Sequence, residues 1–266
     1  MPYKSFPIYM RSILGYLSIV FFFPLLLIQG IYLKKVVLRL PTPTDSPFGF
    51  LKGKKRKLQL LGIGESPMAG VGISKNSETL TGLTALRLNQ SMDYQVNWKV
   101  MAESGLTINN LNLLLGEETS FEADLILVSI GGNDVFNLTA PWVWERNLIK
   151  CINILARGGK KPLILFSPVP CVGRFPAIPN PLRMVFGYWE LLLQSSLSIV
   201  LYSMEDVYLL EERFPDGREF FMDDGIHPSE LAYKLWSEKL ANIAVEMIEK
   251  PTPSPRYPTL AHNVIY

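Results

Sequence analysis

At 266 residues the chain is long enough for one sizeable domain with an appendage. With 48% hydrophobic and 19% charged residues it can bury a core, which excludes a disordered chain. A net charge of +2 is too small to argue for a nucleic-acid partner, and two cysteines, Cys151 and Cys171, give neither a disulfide framework nor a metal-ligand spacing. Two buried free thiols are expected.

The first element is an apolar stretch, Ile13 to Leu33, without a formal charge. As a helix rising about 1.5 Å per residue it spans the hydrocarbon core of a bilayer. It ends at Lys34-Lys35 with no small-x-small cleavage site, so it reads as a membrane anchor (1–38) rather than a removed signal peptide. Pro24 is placed to kink it. The basic excess on its C-terminal flank points the body to the cytoplasmic face of a single-pass protein, an uncleaved signal-anchor with the body outside being the alternative. Residues 39–56 read as a linker, with Pro41, Pro43, Pro47, Gly49 and Gly53 breaking any periodicity. The basic cluster Lys52, Lys54, Lys55, Arg56 and Lys57 suits either anionic headgroups or a solvated linker.

The folded body is expected over residues 57–250, followed by a Pro-rich tail, 251–266. Short strand-like runs alternate there with helical patterns: Lys57–Ile63, Tyr94–Met101, Ala123–Gly131, the run KPLILFSPV and the run DVYLLE are the five strands. Between them lie a helix with Leu80, Leu83 and Leu86 on one face, one from Ala140 that stops at paired glycines, and one over 180–203 that runs on toward a short strand. The last opens at Pro228, with Leu231, Leu235, Ile243 and Met247 as its buried stripe. This alternation predicts a three-layer α/β/α fold with a flavodoxin-like, parallel five-stranded sheet, and sites at the C-terminal strand ends.

Four loops fall on that rim, each a weak signal alone. Gly64-Glu65-Ser66 follows the first strand; its hydroxyl reads as a nucleophile or as a turn serine. Gly105, past the second strand, offers a backbone N–H with no side chain in the way, or is a plain turn glycine. Asn133 in SIGGND offers an amide to a developing oxyanion, or satisfies its own loop. In MDDGIHPSE, Asp224 and His227 are spaced as an acid that orients an imidazole, or as a helix cap beside a surface histidine. The other histidine, His262, lies in the tail.

Ser66, Gly105, Asn133 and His227 in that order, with Asp224 before the histidine, resemble the SGNH (GDSL-like) hydrolases over about Leu58 to Ile248. The segment SPVPCVGRFPAIPNPLR and the N-terminal apolar run resemble a membrane-anchored bacterial subgroup of that superfamily, which places the protein in an inner membrane. The resemblance implies Ser66 as nucleophile, His227 as base and Asp224 as its orienting acid. It implies an oxyanion hole of the Ser66 and Gly105 N–H groups with the Asn133 amide. The implied reaction is hydrolysis of acyl esters, lipid esters included, through an acyl-serine, with no metal or cofactor. Partners are then the ester substrate and, through the N-terminal helix, the membrane. An O-acetyl esterase acting on envelope polysaccharide and a catalytically weak binding module are the alternatives. The family's usual Gly-Asp-Ser is Gly-Glu-Ser here, so any bracing of the turn by Glu65 is expected from a longer, looser arm.

Overall fold

In a computed structural model, which describes residues 2–116, 121–157, 161–212 and 215–249, six strands form one sheet. The chain runs α1 (Pro2–Val36), β1 (Phe48–Leu51), β2 (Lys57–Gly64), α2 (Ser66–Ala69), α3 (Leu80–Met92), β3 (Gln95–Ala102), α4 (Ile108–Gly116) and β4 (Leu125–Ser129). It continues with α5 (Gly132–Phe136), α6 (Pro141–Leu155), β5 (Leu163–Phe166), α7 (Leu182–Leu201), β6 (Val207–Leu209) and α8 (Glu230–Glu249). The tail with His262 lies outside the described residues.

The sheet order is β1-β3-β2-β4-β5-β6, and β2 through β6 pair in parallel. Those five strands are the five expected ones in the flavodoxin-like arrangement, whose order reverses between β2 and β4. β4 is buried at every position, because helices cover both of its faces. One face packs α4, α6 and α7 around Ile126, Val128, Trp144 and Leu193; the other packs α3 and α8 around Leu58, Leu125, Tyr233 and Leu240.

Three expectations are corrected. The linker is not featureless, since β1 adds a sixth, antiparallel edge strand, Phe48 opposite Lys99 and Leu51 opposite Val96. The run after 180 stays helical through Leu201 without turning into a strand. The helix stripes are rotated: Leu86 and Leu231 are exposed, while Leu80, Thr84, Ala85 and Leu88 of α3 meet Tyr233, Trp236, Leu240 and Ala244 of α8. Small residues at the α3 contact let the helix lie close to the sheet, so the buried face is not the leucine-richest one.

That closeness is measurable at Gly62. A Cβ built there would lie 1.8 Å from Thr81 Oγ1, a fully buried side chain of α3. Gly62→Ala is therefore expected to push α3 off β2 and destabilise the protein by about 1–3 kcal/mol. An unchanged denaturation midpoint would contradict this approach distance.

α1 lies against the body instead of standing free. Tyr16 donates to the Leu138 carbonyl at 2.8 Å and stacks edge-on against Trp189 of α7, centroids 4.6 Å apart. Gln29 bridges to Asn180 O (2.7 Å) and Leu182 N (3.1 Å), and Tyr9 donates to the Glu145 carboxylate of α6. The helix bends by 64° between its halves Phe6–Leu17 and Ile19–Leu33. The bend follows the Tyr16 anchor and does not fall at Pro24, which sits within the second half. By length and composition these halves pass together as one membrane span, and α7 passes alone. α7, however, buries Trp189, Leu193 and Leu197 in the core. The outward side of α1 exposes Phe21 (80%) and Val20 (73%).

Candidate active site

Ser66 opens α2 directly after β2, so its N–H has no intrahelical acceptor. Gly64 brings it there with φ +144°, and a Cβ at Gly64 would lie 1.9 Å from the Ser129 carbonyl oxygen at the end of β4. Only glycine allows the two strand ends to approach so closely. The Ser66 hydroxyl meets Ser104 Oγ at 3.1 Å. Among the described residues its hydrogen bond is to Ser104, not to the imidazole.

The next residue in the chain, Gly105, has φ +88° and nothing within 4 Å of a built Cβ, so its backbone borders open space. Gly105 is legible in the sequence as a loop glycine, whereas Ser104, which meets Ser66, belongs to no motif. The one available signal was its adjacency, because a hydroxyl beside an exposed glycine on the same rim is within reach of whatever Ser66 does.

On the loop before α8, the Asp224 carboxylate folds back on its own turn. Oδ1 accepts the Ile226 and His227 N–H groups, each at 3.0 Å, and Oδ2 lies 2.5 Å from His227 Nδ1. Burial alone would raise the Asp224 carboxyl, but the bonds from the imidazole and the two N–H groups outweigh it and hold it below the usual range. An ionised Asp224 keeps the proton on Nδ1 and leaves Nε2 as an acceptor for a hydroxyl.

Glu65 is where the structure departs most from expectation. Its side chain does not brace its own turn from a loose arm. It is 2% exposed and reaches across to the loop after β4, where Oε1 accepts Gly132 N–H at 2.7 Å and Oε2 accepts Asn133 N–H at 3.0 Å and the Asn133 side-chain amide. One amide hydrogen of Asn133 is thus held by Glu65 and the second remains to donate. Burial pushes Glu65 up to about 7; the loop N–H groups oppose this and the nearby Asp134 carboxylate adds to it. Asp134, itself pushed up to about 7 by burial, holds the Ile108 N–H at 2.8 Å and the Thr139 hydroxyl at 3.0 Å. Both acids carry the loop that presents Asn133.

These groups converge on one cavity of about 230 Å³, bordered by Ser66, Ser104, Gly105, Asn133 and His227. The rest of its wall is apolar, chiefly Phe136, Phe175, Phe220, Phe221 and Ile226. Cys171 borders it and Cys151 is remote; both are buried and neither forms a disulfide. Among the described residues, no group of three or more His, Cys, Asp or Glu side chains is placed to hold a metal ion. The arrangement combines a hydroxyl, an oriented imidazole and N–H donors around one largely apolar cleft, which is the equipment for acyl transfer.

The chain's fold is similar to the lipase/acylhydrolase from Enterococcus faecalis, with 18% identity over 75% of this chain and 98% of that one and a TM-score of 0.55. It is similar also to the Clostridium thermocellum family 3 carbohydrate esterase, with 17% identity, coverage of 73% and 98%, and a TM-score of 0.53. The lipase Lip_vut3 from a goat rumen metagenome has 20% identity, coverage of 70% and 96%, and a TM-score of 0.52. No curated protein matches this chain. The GDSL-like Lipase/Acylhydrolase family model matches residues 63–235, from the end of β2 into α8 and across every loop of the cleft, and the chain belongs to that family of ester hydrolases.

Proposed function

We propose that this protein is a membrane-held serine esterase that cleaves carboxylic esters through an acyl-serine. His227 Nε2 takes the Ser66 proton as Oγ bonds to the ester carbonyl carbon. The carbonyl oxygen becomes an oxyanion, for which the Ser66 and Gly105 N–H groups and the Asn133 amide are the donors. As this species collapses, the carbon–alkoxy bond breaks and the imidazolium returns its proton to the departing alcohol. Water then bonds to the acyl carbon while His227 takes its proton; the carbon–Oγ bond breaks, Ser66 regains a proton, and a carboxylic acid leaves. Rotation about the Ser66 Cα–Cβ bond hands the hydroxyl from Ser104 to His227.

The observation that carries this reading is the convergence of Ser66, Asn133 and the Asp224–His227 pair on one cavity. Its apolar wall favours an acyl chain over a sugar. The membrane part of the proposal rests on the exposed apolar side of α1, which water does not favour. The exposed run Lys52–Lys57 beyond it suits a cytoplasmic leaflet.

The full-length chain in detergent is expected to form one covalent adduct with a fluorophosphonate probe, mapped to Ser66 by mass spectrometry. A folded protein without that adduct would favour the binding-module reading instead.

A further inference from the structure

A second cavity, about 550 Å³, lies between α1 and α7 and is walled by apolar residues. It touches the catalytic cavity, because Phe136 and Ile226 border both. Phe136 stacks edge-on against Phe175 on the catalytic side (6.3 Å) and Phe186 on the α7 side (5.3 Å), so an aromatic wall runs from one chamber into the next. The volume falls in the range of about 300–1,000 Å³ usual for small-molecule sites. A cavity of about 150 Å³ already holds a benzene.

The far wall is α1, through Phe23, Leu27 and Gly30 among others, and α1 lies outside the residues that the family model matches. Gly30 borders the chamber with nothing within 4 Å of a built Cβ. A helix that served only to tether the body would not need to wall a chamber that shares Phe136 and Ile226 with the catalytic cleft. The chamber's lining offers no side-chain hydrogen bond, which suits a hydrocarbon.

We propose that this chamber receives the acyl chain of a lipid ester whose carbonyl sits at Ser66, with α1 acting as part of the substrate site. The chain enters past Phe136 and Ile226, and α1, exposed on its outer side, supplies the route from the bilayer. The inference rests on the esterase reading above and adds its substrate class: long-chain acyl esters, selected over short ones by burial of their methylenes.

The test uses the full-length chain in detergent with p-nitrophenyl palmitate and p-nitrophenyl butyrate. Gly30→Phe fills the chamber from its open side without touching the catalytic residues. Its palmitate kcat/KM is expected to fall by about tenfold or more relative to butyrate, with butyrate hydrolysis unchanged. A smaller fall with butyrate hydrolysis retained overturns the proposal. If Gly30→Phe also loses butyrate hydrolysis, Val185→Trp on the α7 wall is held to the same criterion. Binding of a dansyl-labelled fatty acid to the Ser66→Ala chain judges the chamber without turnover. Saturable binding, weakened by Gly30→Phe, is expected, and absence of binding overturns the chamber. A parent chain that binds the fatty acid yet cleaves neither ester refutes the esterase reading alone.

Discussion

Ser66→Ala is expected to lower kcat for a p-nitrophenyl ester by about 10,000-fold or more, with the fold intact. In the proposed mechanism the alanine removes the one atom that forms the acyl bond and leaves the donors for the carbonyl in place. The cost to stability is small, because Ser66 is half-buried and its hydroxyl makes a single bond, to Ser104. His227→Ala should fall nearly as far, since an undeprotonated hydroxyl is a weak nucleophile. The double variant should be scarcely worse than either single one, because the two groups act as one unit. Steady-state kinetics on the three variants, with circular dichroism as the folding control, decides it. Residual Ser66→Ala activity within about tenfold of the parent would remove Ser66 from the mechanism.

The parallel core was legible because its strands differ sharply from what flanks them. β4 is apolar from Leu125 to Val128, and the loops after β2, β3, β4 and β6 carry Ser66, Gly105, Asn133 and the Asp224–His227 pair. β1 was hidden for a physical reason. It is an edge strand of four residues, half exposed, and its Gly49 lies under the Trp98 indole, where a Cβ would be 2.4 Å from the ring. A strand held by its neighbour's side chain has no alternation of its own to read. The phases of α3 and α8 are only partly legible: Leu80 and Met247 are buried as expected, but close packing selects Thr84, Ala85 and Ala244 over Leu86 and Leu231.

The site divides the same way. Asp224 and His227 were readable as a pair, because their bond closes over a local turn. Gly105 and Asn133 were readable as loop residues of the right type. The reach of Glu65 was not, because its partners Gly132 and Asn133 lie on a different strand end and only the sheet order makes them neighbours. Nor was the role of α1 readable. Its composition is that of a lipid-facing span, and its few polar anchors, Tyr9, Tyr16 and Gln29, mark the docking side only once Glu145, Leu138 and Asn180 are placed opposite them.

The second large effect is expected at Glu65. In the folded protein both of its oxygens accept N–H groups and none of its bonds uses a carboxyl proton, so the geometry calls for the ionised form. Burial works against that ionisation and raises the group from 4.5 to about 7. The native state therefore binds the proton more tightly than the unfolded chain does. The resulting stabilisation is fully present below pH 4.5, declines as pH rises from there to about 7, and is gone above it. Asp134 titrates in the same direction and adds to the slope. Activity runs the other way, because protonating Glu65 turns an acceptor into a donor and loosens Asn133. Glu65→Gln keeps the shape but sets an amide NH₂ against a loop N–H in either orientation. Its kcat is expected to fall by about 100-fold, the usual cost of one oxyanion donor. Its thermal midpoint should also vary less steeply than the parent's between pH 4.5 and about 7, with the Asp134 share remaining. Thermal denaturation across that window and kinetics above it measure the two effects separately. An unchanged slope would mean that Glu65 carries no linked proton, and an unchanged kcat would mean that Asn133 holds its place without the brace.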